Sequence, residues 1–272
     1  MAKYTGKQFT CAVCGTQRIY SVLSSTNASG APDLDTRPGG LARRDLLHAV
    51  LCCKRCMYCA PDLSECLATA PDLVPSIEYR KLLAEKEIPE LARRWACWSL
   101  LQERAGGHAA AGWAALRAAW VCDDAGTAQG AVRYRASAIE SFLRAQEAKR
   151  RFAGGRISEQ LILVDLCRRN LRFDCAIWLC QELQSSSAPD HIQEVVSFQL
   201  HCAQQGDSQV YTLDDAFEFA QAPESWMPQP EEVPEQNWRQ RLRHLVGIPI
   251  QFPAIPKRVL SSGALSPIGD EG

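Results

Sequence analysis

The apolar positions of this chain change their period near residue 62. Before that point they sit in short runs: Phe9-Thr10-Cys11, then Ile19-Tyr20-Ser21-Val22-Leu23, and again from Leu46 to Cys52. Such runs predict strands. Residues 24–40 are rich in Ser, Asn, Gly and Pro and form a loop. Pro61-Asp62 is then expected to open the first helix, with Asp62 as its N-cap.

From there the spacing is helical. Ile88, Leu91, Trp95 and Trp98 share one face, and Trp113, Leu116 and Trp120 share another beyond Gly106-Gly107. Val132, Ile139, Phe142 and Leu143 form the next stripe, which ends near Gly154-Gly155. Ile157, Leu161, Val164 and Cys167 follow, then a break at Asn170, then Ile177, Cys180 and Leu183. A last stripe runs from about Pro189 to Gln205. Short connections between such stripes predict antiparallel helix pairs, as in an α-solenoid. The stretch Leu161 to Pro189 reads like one tetratricopeptide (TPR) unit, with Ala176 at the small position and Phe173 at the turn. The expected fold is mostly α: a TPR-like antiparallel helical array behind a small N-terminal β zinc ribbon. The parts are residues 1–60, the ribbon; 61–220, the helices; and 221–272, a tail. Eight of the fifteen prolines fall in that tail, around one short amphipathic segment bearing Trp238, Leu242, Leu245 and Val246.

The chemistry is carried by cysteine. Cys11-Ala12-Val13-Cys14 and Cys53-Lys54-Arg55-Cys56 are two C-x-x-C pairs. One pair fills half of a tetrahedral shell and the second closes it, leaving no open position, so the site is expected to be structural Zn²⁺ rather than catalytic. Cys56 with Cys59 is also a C-x-x-C, and Cys52 adjoins Cys53; symmetry with the first pair favours Cys11, Cys14, Cys53 and Cys56 as ligands. Gly15 follows Cys14 as a tight turn requires, whereas Met57 follows Cys56. His48 is the nearest histidine and a reserve ligand.

Composition narrows the class. The chain has 272 residues, 46% hydrophobic and 22% charged, as a globular protein does. Of its 13 cysteines, those within apolar helical segments read as reduced core residues, which implies a cytoplasmic protein. The opening Met1 to Lys7 lacks the apolar stretch of a signal peptide, and no apolar run approaches the ~18 residues of a membrane span. Residues 1–60 hold eight Lys/Arg against three Asp/Glu, a formal +5, while 61–220 stand at −5. That basic balance keeps nucleic acid open as a partner without favouring it.

Asp33, Asp35 and Arg37 form a polar cluster in the long loop, a candidate polar site for a metal or an anion. The simpler expectation is that Arg37 pairs with an aspartate and pins the loop onto the ribbon. The tryptophans could line a groove, but such a stripe is more often core. Lys149-Arg150-Arg151 is expected in the last turn of a helix, where cations suit the dipole. No nucleophile elbow, phosphate-binding loop or catalytic zinc motif is present.

Taken together, Cys11-x-x-Cys14-Gly15, Ser25-Thr26-Asn27-Ala28, Asp33-Leu34-Asp35-Thr36-Arg37-Pro38 and Cys53-x-x-Cys56-x-Tyr58 resemble a bacterial family of uncharacterised proteins, domain-of-unknown-function family 2225. The resemblance continues through Ala114 to Trp120 and Asp165-Leu166-Cys167-Arg168-Arg169, spanning about residues 9–185. Members usually read C-P-x-C-G-Y at the second pair, where this chain has Lys54 and Met57. The resemblance implies a zinc ribbon joined to TPR-like helices in a bacterial cytoplasm, and supplies no activity. The expected function is therefore a non-enzymatic adaptor binding a protein or peptide. The alternative is a nucleic-acid-binding ribbon, and an enzyme built on Asp33, Asp35 and Arg37 comes third.

Overall fold

The computed structural model describes residues 3–221. The chain is mostly helical, with two small two-stranded sheets at its N-terminal end. Strands β1 (Lys3–Thr10) and β2 (Gln17–Ser25) form one antiparallel hairpin, and β3 (Leu51–Cys52) and β4 (Cys59–Ala60) form the other. Between them lie the long loop, the short helix α1 (Ala42–Asp45) and a 3₁₀ turn, Leu46–Ala49. Nine further helices follow among the described residues: α2 (Ala70–Leu73), α3 (Ile77–Ala84), α4 (Glu90–Arg104), α5 (His108–Asp124), α6 (Ala128–Glu147), α7 (Arg156–Arg169), α8 (Phe173–Gln184), α9 (Asp190–Gln204) and α10 (Leu213–Ala220).

The helical stripes fall where their spacing places them, except at Val132, which belongs to α6 but lies on its exposed side. Short turns join α4 to α5, α5 to α6 and α7 to α8, and each turn is built alike. One residue takes a left-handed conformation (Gly106, Gly126 and Leu171, at φ 79°, 68° and 59°). The next N–H then reaches back 2.8 Å to a carbonyl of the last turn: Gly107 to Gln102, Thr127 to Cys122, Arg172 to Cys167. This is the Schellman closure, which satisfies carbonyls that a helix end leaves open and reverses the chain. The long helices α5 and α6 pack closely because Gly112 has no side chain. A Cβ there would lie 2.4 Å from the Phe142 ring.

Among the described residues the tryptophans pack into or against the core. Trp95, Trp98 and Trp120 are buried, and the indole N–H of Trp95 donates to Leu47 O at 2.7 Å. That bond ties α4 to the 3₁₀ turn of the N-terminal region. One continuous apolar core runs from Phe9 through α9, so packing does not break at the change of period. Tyr79 of α3 shows why: its hydroxyl accepts from Cys59 N–H at 2.9 Å and donates to Met57 O at 3.0 Å.

Four expectations need correction. Asp62 caps no helix; its Oδ1 accepts from Ser64 N–H at 2.8 Å in a local turn, and the helices begin at Ala70. Most of Leu46 to Cys52 is the 3₁₀ turn, and only its last two residues are strand. Lys149, Arg150 and Arg151 lie just past the end of α6, where Lys149 is itself left-handed at φ 56°. The extra helix α10 lies just before the tail and packs on α9. The segment bearing Trp238, Leu242, Leu245 and Val246 lies outside the described residues.

Leu171 is the informative exception among the turns. It takes the position that Gly106 and Gly126 fill elsewhere, and it is 58% exposed. A non-glycine residue pays ~1–2 kcal/mol for this conformation, while glycine costs ~0.5–1 kcal/mol more backbone entropy on folding. Leu171→Gly is therefore expected to raise unfolding free energy by about 0.5–1 kcal/mol, measured by denaturant titration. A loss of stability would mean that the leucine side chain has a packing role.

Candidate metal centre

Each C-x-x-C pair occupies the turn of one hairpin. Thr10 pairs with Gln17 across the first, and Cys52 with Cys59 across the second, so both turns hold six residues. Their backbone bonds match. Cys11 N–H donates to Thr16 O at 2.9 Å and Gly15 N–H to Cys11 O at 2.7 Å. Cys53 N–H donates to Tyr58 O at 2.8 Å and Met57 N–H to Cys53 O at 2.9 Å. Gly15 has φ 70° and Met57 φ 68°, so the methionine adopts the conformation a glycine would take.

The two turns face each other. Cys11 Sγ lies 3.6 Å from Cys56 Sγ, and Cys14 Sγ lies 3.6 Å from Cys53 Sγ. All four sulfurs lie within 4.8 Å of one another. Sulfurs placed tetrahedrally ~2.3 Å from a metal ion are about 3.8 Å apart, so the cluster has the size of a loaded four-thiolate shell. Cys11 and Cys53 are buried, while Cys14 and Cys56 are half-buried. Burial pushes the Cys14 thiol up, but the Thr16 hydroxyl and amide more than offset it, and its pKa falls to about 6.

The neighbouring thiols take another course. Cys52 and Cys59 face each other across β3 and β4, both buried. Cys59 Sγ points to Met57 O at 3.4 Å and Cys52 Sγ to Cys53 O at 3.9 Å. His48 is exposed and is not among the clustered ligands.

The loop residues Asp33, Asp35 and Arg37 are buried, but in a different place from the metal cluster. They pin the loop onto the helical body rather than onto the ribbon, which corrects the expectation. The Arg37 guanidinium donates to Asp124 Oδ2 of α5 at 2.6 Å, while its backbone N–H donates to Asp35 Oδ1 within the loop at 3.2 Å. Asp35 is 0% exposed; its Oδ2 accepts from Trp120 Nε1 at 2.7 Å and from Arg169 of α7 at 2.9 Å. Asp33 is paired with Arg43 at 2.7 Å. Burial raises the Asp33 pKa and Arg43 opposes the rise. Arg169 also reaches Asp123 at 2.7 Å, and Arg135 of α6 meets the same carboxylate. Nearby, Arg168 is bound to Asp165 at 2.6 Å and to the carbonyls of Asp207 and Gln209. The loop also bridges to Thr212, and Leu34 inserts against α9 and α10.

Sequence reasoning found three members of this network and missed the helical ones. The available signal was charge out of place: Asp165, Arg168 and Arg169 interrupt an apolar run in a helix buried along most of its length. Comparison with family models, curated proteins and solved structures finds no match to this chain. What the chain does must be argued from its own geometry.

Two outcomes test these assignments. Cys53→Ser is expected to abolish metal retention and Cys59→Ser to preserve it, read by elemental analysis of purified protein; the reverse result would move the ligand set by one turn. Asp35→Ala deprives the Trp120 N–H of its acceptor and Arg169 of the more deeply buried of its two carboxylates, Asp123 being the other. Breaking a buried pair in this way costs ~3–5 kcal/mol, so its unfolding midpoint should fall steeply, and a loss below ~1 kcal/mol would show that the loop is held by packing instead.

Proposed function

We propose that the four cysteines hold one structural zinc ion, and that the chain is a non-enzymatic adaptor whose stacked helices present a surface to a protein or peptide. The observation that carries the metal assignment is the pair of matched turns whose sulfurs approach to 3.6 Å across the gap between them. Four cysteine ligands suit zinc, and a closed shell leaves no position for substrate or water. The polar cluster of the long loop turns inward: both oxygens of Asp35 accept, and the Arg37 guanidinium donates, within the protein. That disposition supports a scaffold rather than a catalyst. Asp33, Asp35, Arg37, Trp120 and Arg169, which belong to segments that carry the resemblance to family 2225, all bond within this region. Among the described residues no helix is long and apolar enough to cross a membrane.

A second reading has its own support. Asp33 and Asp35 are buried, so two of the three acidic residues of 1–60 are withdrawn from its surface. Lys3, Lys7, Arg18, Arg44, Lys54 and Arg55 remain exposed. A surface of that sign suits a nucleic acid, whose binding would weaken steeply with salt.

Reduced, freshly purified protein is expected to contain one zinc per chain. Structural zinc contributes on the order of 10–16 kcal/mol of apparent binding energy in small modules, so a chelator should lower the melting temperature markedly. Absence of both zinc and iron would end the metal assignment. Retention of a defined protein at moderate salt supports the adaptor; salt-sensitive retention on single- or double-stranded nucleic acid in its place supports the second reading.

A further inference from the structure

We propose that the metal centre is a site of thiol oxidation, at which a hydroperoxide-class oxidant enters at Cys14 and closes a disulfide between the two turns, Cys14 to Cys53, with release of the metal. The inference rests on the zinc assignment and adds to it a reaction and its register. Three observations carry it.

First, accessibility is divided within the cluster. Cys14 and Cys56 are half-buried, whereas Cys11 is 2% and Cys53 0% exposed. Second, each 3.6 Å contact pairs one accessible sulfur with one buried sulfur, and both contacts run between turns, not within one. An accessible sulfur that is oxidised therefore has a resolving thiolate already at hand on the opposite hairpin. Third, Cys14 Sγ donates to Thr16 Oγ1 at 3.3 Å, so a hydroxyl stands directly beside the attacked sulfur.

The steps balance. The Cys14 thiolate attacks one peroxide oxygen; a sulfur–oxygen bond forms, the O–O bond breaks, and hydroxide leaves. The resulting sulfenic acid is a poor ligand, so the sulfur parts from the metal. The Cys53 thiolate then attacks the Cys14 sulfur; the S–S bond forms, the S–O bond breaks, and a second hydroxide leaves. Two thiolates have lost two electrons to one peroxide. With two of its four ligands spent, the ion is released. Cys11 and Cys56 can close the second disulfide with a second equivalent. Because both bonds join the β1–β2 hairpin to the β3–β4 hairpin, they replace the metal as the tie between the turns.

The test uses the full zinc-loaded chain and hydrogen peroxide. Metal release is followed with a chromogenic chelator, and disulfides are mapped by mass spectrometry of non-reduced tryptic peptides after alkylation. Trypsin cuts after Lys54 and Arg55, which separates Cys53 from Cys56; Cys11 shares a peptide with Cys14, Cys52 with Cys53, and Cys56 with Cys59 and Cys66, so fragment ions assign the linked sulfur in each. The expected result is one zinc released per chain, with a Cys14–Cys53 link appearing first and Cys11–Cys56 second. Cys52 and Cys59 should remain reduced. The oxidised, metal-free chain should melt above the reduced, chelated chain. Links confined to Cys11–Cys14, or oxidation of the exposed Cys66 without metal release, would overturn the proposal. Cys14→Ala supplies a second arm: if it retains zinc, release by peroxide should slow several-fold, and if it does not, the link map of the intact chain decides. A chain that holds no metal before oxidant is added would instead overturn the zinc assignment, so the two failures are distinguishable.

Discussion

The Asp35 carboxylate is the constraint around which this fold closes. It has no exposed surface and accepts from three directions: the Arg37 backbone, the Trp120 indole and the Arg169 guanidinium. A lone buried carboxylate would be prohibitively costly, so its partners must arrive together. Those partners come from the loop itself, from α5 and from α7, the last two 85 and 134 residues further along the chain. The network also resolves a difficulty at helix ends. Asp123 and Asp124 sit at the C-terminus of α5, the negative end of its dipole, where carboxylates are unfavourable. Arg168 and Arg169 sit at the C-terminus of α7, where cations are favourable, and Arg169 and Arg37 bring compensating charge to the α5 end. Such networks add little over an apolar core but strongly penalise alternatives that leave one member unpaired. Here that penalty specifies where the loop crosses the helices.

The four-cysteine cluster and the charge network divide the work of attaching the N-terminal region. The cluster joins the two hairpins to each other through their turns. Tyr79 and Trp95 then fasten the second hairpin and the 3₁₀ turn to α3 and α4 by hydrogen bonds to backbone groups. The loop continues to the far end of the array, where Leu34 meets α9 and α10. The N-terminal region therefore contacts both early and late helices, and each attachment depends on directional bonds between buried groups rather than on apolar area alone.

How much of this was legible in the sequence depended on locality. The helices were legible because their apolar stripes repeat every turn, and the clustered cysteines because the two turns repeat a short spacing. Met57 shows the limit: it stands where the first turn has glycine, which left the second turn's geometry open, yet it takes the same left-handed backbone, with bonds from Cys53 N–H and to Cys53 O on either side. Arg37 was expected to pair with an aspartate and pin the loop onto the ribbon; its guanidinium does pair with an aspartate, but with Asp124 of the helical body. No spacing rule encodes a pair formed 87 residues apart. The 3₁₀ turn before β3 was read as strand because a short apolar run has no period of its own.

The two hairpin turns are chemically equivalent at their backbones but not in their surroundings. The first is preceded by an exposed ribbon, and only Phe9 of β1 is buried. The second is backed by Tyr58, Cys59 and Tyr79, all with no exposed surface. When the tie between them is lost, the second turn keeps its packing and its bonds to α3. The first keeps chiefly the Ala12 N–H bond to Leu63 O and the Phe9–Tyr20 edge contact. Loosening should therefore begin at the β1–β2 hairpin and stop at the second turn, because the apolar core starts in earnest there.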